Sequence, residues 1–143
     1  MRHFILFAAL FGLSINICGQ VNQIVGRWKT VDDKTGDNFS IVEIYQGANG
    51  LYYGKVAKML VGPENLLCDK CEGEDHNKPV EGLVIIRDMK AVDGELRSGR
   101  VLDPESGKFY YGKIFIKEDR LVLRGSLDKF GMLGRNQTWI KAD

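Results

Sequence analysis

The sequence is poor in the residues that most catalytic sites use. It contains two histidines, and because His3 lies among the first few residues, His76 is the one left for the body of the chain. A single histidine leaves little room for a Ser-His-Asp arrangement, and the chain has no GxSxG elbow, P-loop or HExxH motif. We therefore expect neither an enzyme activity nor a cofactor.

The chain also lacks an excess of charge of either sign. Its 20 basic and 19 acidic residues are interspersed along the whole length. A basic stripe would indicate nucleic-acid binding and an acidic tail would indicate a cationic partner, and neither is present. No nucleic-acid partner is expected.

No long segment after residue 20 repeats apolar residues with the 3.6-residue period of a helix. Short apolar runs bounded by Gly, Asp, Asn and Pro recur instead, a pattern typical of all-β chains. Tight turns between most runs favour antiparallel pairing of neighbours, so we predict a meander of about eight strands that closes into a β-barrel. The predicted strands are 26–32, 40–46, 51–60, 82–88, 95–102, 108–117, 120–127 and 135–141.

The N-terminus has the pattern of an export signal. Basic Arg2 precedes a mostly apolar run over residues 4–17. This run is shorter than the roughly 20 residues of a membrane-spanning helix, so no transmembrane segment is expected. Two processing routes remain open: cleavage after Gly19, which is favoured and leaves one domain of residues 20–143, or lipid attachment at Cys18. Both routes predict an exported protein of the periplasm or cell envelope.

One connection, residues 61–79, is much longer than the others and contains Cys68, Cys71 and His76. In an oxidising compartment a disulfide between the two cysteines is the leading expectation. A weaker alternative is a zinc site formed by Cys68, Cys71 and His76. These residues match only the first half of a usual zinc motif, and the sequence lacks the second half. A loop stiffened in this way could also serve as a contact surface for an envelope protein partner.

Two segments repeat almost the same residues, namely YYGKV at 52–56 and YYGKI at 110–114. Cross-strand tyrosine packing, with glycine admitting a close neighbour, explains the repeat without a binding site. Alternatively, the tyrosines and lysines line one cavity, because residues two apart on a strand share a face. The candidate ligand-binding residues under this hypothesis are Trp28, Tyr53, Lys55, Tyr111, Lys113 and Arg124.

The segment Gly26-Arg27-Trp28 resembles the Gly-x-Trp entry of lipocalins and their relatives. In those barrels a basic side chain from the last strand lies over the tryptophan and closes the floor. The resemblance implies structural roles for Gly26 and Trp28, and it implies that Arg135 supplies the cation. A cation on an indole face is favourable in its own right.

The chain from residue 20 onward more closely resembles a bacterial exported family known as domain of unknown function 2147. The residues that carry this resemblance are Ile24 to Thr30, Val42 to Tyr45, Tyr53 to Val56, the Cys68-x-x-Cys71 loop with Lys78-Pro79 and Gly82, Asp103-Pro104 with Gly107-Lys108, Arg124-Gly125, and Arg135-x-Gln137-x-Trp139. The resemblance implies a lipocalin-like barrel and an envelope location, but no established reaction or ligand.

Three functional hypotheses follow. The first is a module that binds a small apolar or amphiphilic molecule in the mouth or interior of the barrel. The second is an envelope protein–protein interaction or structural module that uses the 61–79 loop. The third, a metal-dependent enzyme, rests on the zinc alternative alone.

Overall fold

A computed structural model of the chain describes Gly12 and residues 17–142, with side chains from Gln20 onward. One helix, α1 (Ile17–Ile24), precedes eight strands. The strands are β1 (Gly26–Val31), β2 (Asn38–Gln46), β3 (Tyr52–Met59), β4 (Val84–Val92), β5 (Glu95–Asp103), β6 (Lys108–Lys117), β7 (Arg120–Ser126) and β8 (Gly134–Lys141).

The eight strands form a closed barrel in which each strand pairs antiparallel with the next and β8 returns to β1. The predicted all-β meander is therefore confirmed. The seam between β1 and β8 is short, since its paired positions are Trp28 with Lys141 and Lys29 with Ile140. β7 and β8, in contrast, pair at six positions from Leu121 with Trp139 to Ser126 with Gly134. The seam therefore joins the middle of β1 to the last residues of β8.

The predicted end of the fourth strand at Asp88 was wrong, because β4 continues to Val92. Asp88 adopts a left-handed backbone with φ of 57° inside the strand, and Ser98 does the same in β5 with φ of 63°. Asp is typical of turns, but a left-handed residue within a strand also makes a bulge that bends the strand and shifts its register. Beyond the bulge, Met89 is fully buried.

The barrel interior is filled with large apolar side chains over much of its length. The fully buried residues include Ile44, Ile86, Met89, Leu96, Ile114, Leu121 and Trp139. Glycines on neighbouring strands make room for them, since a Cβ at Gly112 would lie 2.8 Å from the Cγ2 of Val101 and a Cβ at Gly54 would lie 2.7 Å from the Cδ1 of Ile86. The repeated Tyr-Gly-Lys segments therefore place their glycines inward, against the core.

Helix α1 closes one end of the barrel. Val21 and Ile24 are buried, and the indole Nε1 of Trp28 donates a 2.8 Å hydrogen bond to the carbonyl oxygen of Ile24. We call this end the closed end. The opposite end carries the β1–β2, β3–β4, β5–β6 and β7–β8 connections, because the strands alternate in direction, and we call it the open end.

Lys141, and not Arg135, supplies the cation over Trp28, so the expectation for Arg135 was wrong. The Nζ of Lys141 lies 4.6 Å from the centre of the Trp28 ring. β8 runs antiparallel to β1, so its last residues reach the closed end, whereas Arg135 pairs with Gly125 near the open end. Gly26 leaves space for Lys141, since a Cβ there would lie 2.8 Å from Nζ.

The predicted export signal over residues 1–19 falls largely outside the described residues, and its cleavage and the domain limits of 20–143 remain predictions. α1 crosses the predicted cleavage point after Gly19. Within residues 17–142 no helix has the length and apolar character that membrane crossing requires.

Candidate functional site

The structure does not bring the six predicted ligand-binding residues together in one cavity. Trp28 is buried on the inner face at the closed end. The other five alternate with inward residues along their strands and lie on the outer face of the barrel. These residues are Tyr53, Lys55, Tyr111, Lys113 and Arg124. The hypothesis that they line the interior was therefore wrong, because the alternation of side chains along each strand places these five on the outer face and their neighbours on the inner face.

Several of the outward residues have local partners on the outer face. The hydroxyl of Tyr53 donates a 3.0 Å hydrogen bond to Asp88 at the edge of a surface depression of about 520 Å³. Lys113 Nζ lies 3.6 Å from the carboxylate of Glu95. Tyr111 is exposed. These contacts are spread over the barrel wall and do not converge on one point.

The long connection between β3 and β4 is anchored to the barrel. Cys68 and Cys71 form the expected disulfide and are both buried. The Sγ of Cys68 lies 3.5 Å from the carbonyl oxygen of Pro104, so the disulfide packs against the β5–β6 turn. Arg87 of β4 donates a 2.8 Å hydrogen bond to the carboxylate of Asp75. The loop is thus an integral part of the open end.

The electrostatics around Asp75 fit this anchoring role. Burial raises the pKa of the Asp75 carboxyl, but hydrogen bonds and charge from Arg87 and Lys78 outweigh burial and hold the pKa below its ordinary value. A carboxylate that stays ionised keeps its ion pair with Arg87 at neutral pH. The pair joins the loop to β4.

The zinc alternative at Cys68, Cys71 and His76 was wrong. Both sulfurs are joined in the disulfide, so neither is available as a thiolate ligand. The Nδ1 of His76 lies 3.0 Å from the carbonyl oxygen of Cys71, a contact that orients the ring within its own loop. Among the described residues no group of three or more His, Cys, Asp or Glu side chains is placed to hold a metal ion.

The inner face opens near Gly125 of β7. Gly99, Gly112 and Gly125 lie side by side on β5, β6 and β7. An added Cβ would collide with the Met89 side chain at Gly99 and with Val101 at Gly112, whereas at Gly125 the nearest described atom beyond the chain neighbours would be the Cβ of Tyr110, at 3.7 Å. An added methyl group therefore meets core side chains at the first two glycines but only an ordinary van der Waals contact at the third.

Two polar side chains of β8 share this part of the inner face. Arg135 and Gln137 alternate with buried Trp139, whose Nε1 donates a 3.2 Å hydrogen bond to the Oε1 of Gln137. Both residues are exposed although their side chains follow the inward phase of the strand. Among the described residues Arg135 has no side-chain hydrogen bond or ion pair. We call Tyr110, Gly125, Arg135 and Gln137 the mouth site.

The β7–β8 connection, residues 127–133, stands beside the mouth site, and we call it the rim loop. Its shape depends on Asp128, whose carboxylate accepts hydrogen bonds from the backbone amides of Leu133 at 2.7 Å and Met132 at 3.1 Å. Ser126 Oγ donates to the Asp128 carbonyl oxygen at 2.7 Å. Arg124 Nε donates to the Gly131 carbonyl oxygen, also at 2.7 Å. The outward Arg124 therefore supports the loop and does not face the interior.

The rim loop should loosen only in strong acid. The backbone amides of Leu133 and Met132 hold the pKa of Asp128 below its ordinary value of 3.8. A depressed pKa means that Asp128 stabilises the folded loop above 3.8 and that this contribution is lost as pH falls through the lower folded pKa. We expect the amide NMR shifts of Met132 and Leu133 to titrate together with a midpoint below 3.8. Asp128→Asn should abolish the titration, and a midpoint at or above 3.8 would contradict the assignment.

Sequence reasoning missed the rim loop because it considered residues 128–134 only as the gap between two strands. A signal was present, since three large apolar residues, Phe130, Met132 and Leu133, fall in a segment that the strand pattern leaves as a connection. Apolar residues in a connection have no core face to occupy. Their placement is therefore informative in itself.

Comparison with known proteins places the chain in a family. The sequence profile of a bacterial family, described as uncharacterized protein conserved in bacteria (DUF2147), matches residues 26–141. The chain belongs to this family. The match runs from the first residue of β1 to the last of β8, so the mouth site and rim loop both lie within the DUF2147 domain. No curated protein matches the sequence significantly.

A solved structure also resembles this DUF2147 chain. Its title is "Protein HP1028 from the human pathogen Helicobacter pylori belongs to the lipocalin family". The two chains superpose with a TM-score of 0.73 and 22% sequence identity, over 83% of this chain and 82% of the other. At this identity the likeness shows that the barrel is lipocalin-like.

Proposed function

We propose that the protein binds a small amphiphilic molecule with an anionic head group at the mouth site. The observation that carries this proposal is the free space at Gly125 on an inner face that is otherwise filled. Concave sites with an apolar wall and a few polar groups are typical of small-molecule binding. The lipocalin-like barrel is compatible with such a role.

The residues of the mouth site suggest how the molecule is held. The aromatic ring of Tyr110 and the wall around Gly125 offer apolar contact to a short chain. Arg135 has no partner of its own among the described residues, and a guanidinium pairs with a carboxylate or phosphate through two parallel hydrogen bonds. Buried Met89 and Ile86 fill the barrel beyond the mouth. The bound chain is therefore short or partly exposed.

Export remains part of this proposal. The disulfide Cys68–Cys71 is compatible with an oxidising compartment, and the apolar run over residues 4–17 is typical of a signal. An amphiphile-binding module in the bacterial envelope would meet its ligands there. Intact-mass measurement of protein exported by a bacterial host determines the N-terminus and shows whether Cys18 carries lipid.

We expect Gly125→Leu to weaken binding at least roughly tenfold, because the added side chain occupies the free volume. Calorimetric titration with decanoate and decyl phosphate measures the affinity, and decyl glucoside supplies an uncharged head group on the same chain. The φ of Gly125 lies outside the left-handed region. The free energy of unfolding of the Gly125→Leu variant should therefore differ from that of the wild type by no more than about 1 kcal/mol.

Arg135→Gln should weaken binding of the two anionic probes by roughly tenfold, since a hydrogen bond to a charged group contributes about 1.5–3 kcal/mol. It should leave decyl glucoside nearly unaffected. Arg120→Gln is the matched control, because Arg120 is exposed at the start of β7, at the closed end. Equal affinity of the wild type and Gly125→Leu for all three probes would refute the mouth site.

A further inference from the structure

The rim loop exposes an unusual concentration of apolar surface. Leu127 is 70% exposed, Phe130 80%, Met132 79% and Leu133 67%. Single exposed apolar residues are common on soluble proteins, but contiguous groups of large ones mark sites that are covered by a partner or a membrane. The four side chains belong to one seven-residue connection.

The backbone of this loop is largely satisfied from within. The Leu127 amide donates to the Leu133 carbonyl oxygen at 2.9 Å, and the Gly131 amide donates to the Asp128 carbonyl oxygen at 3.2 Å. The Asp128 carboxylate accepts the amides of Met132 and Leu133. Entry into a lipid interface removes water from polar backbone groups, so a segment that provides its own partners enters at lower cost.

Charge identifies the kind of surface that the loop fits. Residues 124–135 contain Arg124, Lys129 and Arg135 against one acidic residue, Asp128, a net charge of +2. The whole chain carries a net charge of +1. Lys129 Nζ lies 5.3 Å from the centre of the Phe130 ring, so a cation stands directly beside the most exposed apolar side chain.

We propose that the rim loop docks the barrel on an anionic lipid membrane, with the four apolar side chains in the interfacial region and Lys129 among the lipid head groups. A basic and apolar segment binds such surfaces through burial of apolar area and attraction to anionic lipids. A stable protein interface uses about 20–30 residues on each side, whereas this patch is a single short loop. The docking does not require an occupied mouth site, so it goes beyond the proposed function.

The first test is flotation of the exported protein with lipid vesicles. The protein carries Cys18→Ser to exclude a lipid anchor, and its N-terminus is determined by mass. We expect it to float with vesicles of equal parts phosphatidylethanolamine and phosphatidylglycerol. Binding to vesicles of phosphatidylcholine alone should be at least roughly tenfold weaker, as expected for a net charge of +2 near the surface.

Loop variants locate the contact. The double variant Phe130→Ser with Met132→Ser should bind anionic vesicles at least roughly tenfold more weakly, because it removes two of the buried apolar groups. Lys129→Ser should lower binding by about fivefold. Leu60→Ser with Val61→Ser is the matched control, since these residues are also exposed and apolar at the open end, and it should bind like the wild type.

Insertion is separated from adsorption by Phe130→Trp fluorescence. Brominated lipid should quench the new tryptophan, while buried Trp28 and Trp139 remain unquenched. Gly125→Leu should keep vesicle binding while losing decanoate binding, which makes failure of this proposal distinguishable from failure of the mouth site. Equal flotation of the wild type and the double variant, or an unquenched Trp at position 130, would overturn the proposal. The proposal would also be overturned if the protein did not float with vesicles and instead self-associated through the rim loop.

Discussion

Replacing Trp139 with alanine is expected to lower the free energy of unfolding by about 3–5 kcal/mol. Trp139 is 2% exposed and is among the largest fully buried side chains of the barrel. It lies opposite Leu121 on β7 and donates its indole N–H to Gln137. The substitution leaves a cavity, and the surrounding closed sheet restricts collapse of the wall. Urea unfolding followed by circular dichroism measures the loss.

Phe130→Ala is the matched control for Trp139→Ala. It also truncates a large aromatic side chain, but Phe130 is 80% exposed and its removal should change stability by no more than about 0.5 kcal/mol. A loss of similar size in both variants would show that Phe130 is packed in solution. A loss of less than about 1 kcal/mol at Trp139 would contradict a filled barrel interior.

Gly107→Ala is the second substitution with a large expected effect, a destabilisation of about 2–5 kcal/mol. Gly107 has a left-handed backbone with φ of 71°, and an added Cβ would collide with the carbonyl oxygen of Lys70. Because that atom belongs to the backbone of the disulfide loop, rotation of a side chain cannot relieve the collision. The loop or the β5–β6 turn has to move.

Gly36→Ala separates the two causes at Gly107. Gly36 has nearly the same backbone, with φ of 75°, but in the described part of the chain no atom beyond its two chain neighbours lies within 4 Å of an added Cβ. The free energy of unfolding of its alanine variant should therefore fall only by the cost of a left-handed backbone, about 1–2 kcal/mol. Urea unfolding of both variants gives the difference, and limited proteolysis should cleave the 60–83 connection faster in Gly107→Ala alone. Equal losses would mean that the loop does not press on Gly107.

Much of the fold could be predicted because each strand carries its own local signals. Apolar runs and turn residues such as Asp93-Gly94 occur within a few positions of each other, so the eight strands could be located without tertiary information. Asp88 shows the limit of such signals. Asp can start a turn or make a bulge inside a strand. Pairing with the adjacent strand decides between the two.

The candidate site could be predicted far less well. The alternation along β3 correctly placed Tyr53 and Lys55 on one face, but several strands are apolar on both sides, so the sequence did not indicate which face was inward. The choice of Arg135 over Lys141 failed for a related reason. Both are basic residues of the last strand, and only strand direction and register decide which of them reaches Trp28.

By itself, then, the sequence determined the all-β meander, the family and the residues able to form the disulfide, because these depend on patterns within short stretches of chain. The tertiary structure decided which faces turn inward, which cation covers Trp28 and where the interior remains open. Those features depend on the contact of strands distant in sequence, as at Gly99, Gly112 and Gly125. Whether the space in front of such a glycine is filled depends on side chains of neighbouring strands, Met89 of β4 at Gly99 and Val101 of β5 at Gly112.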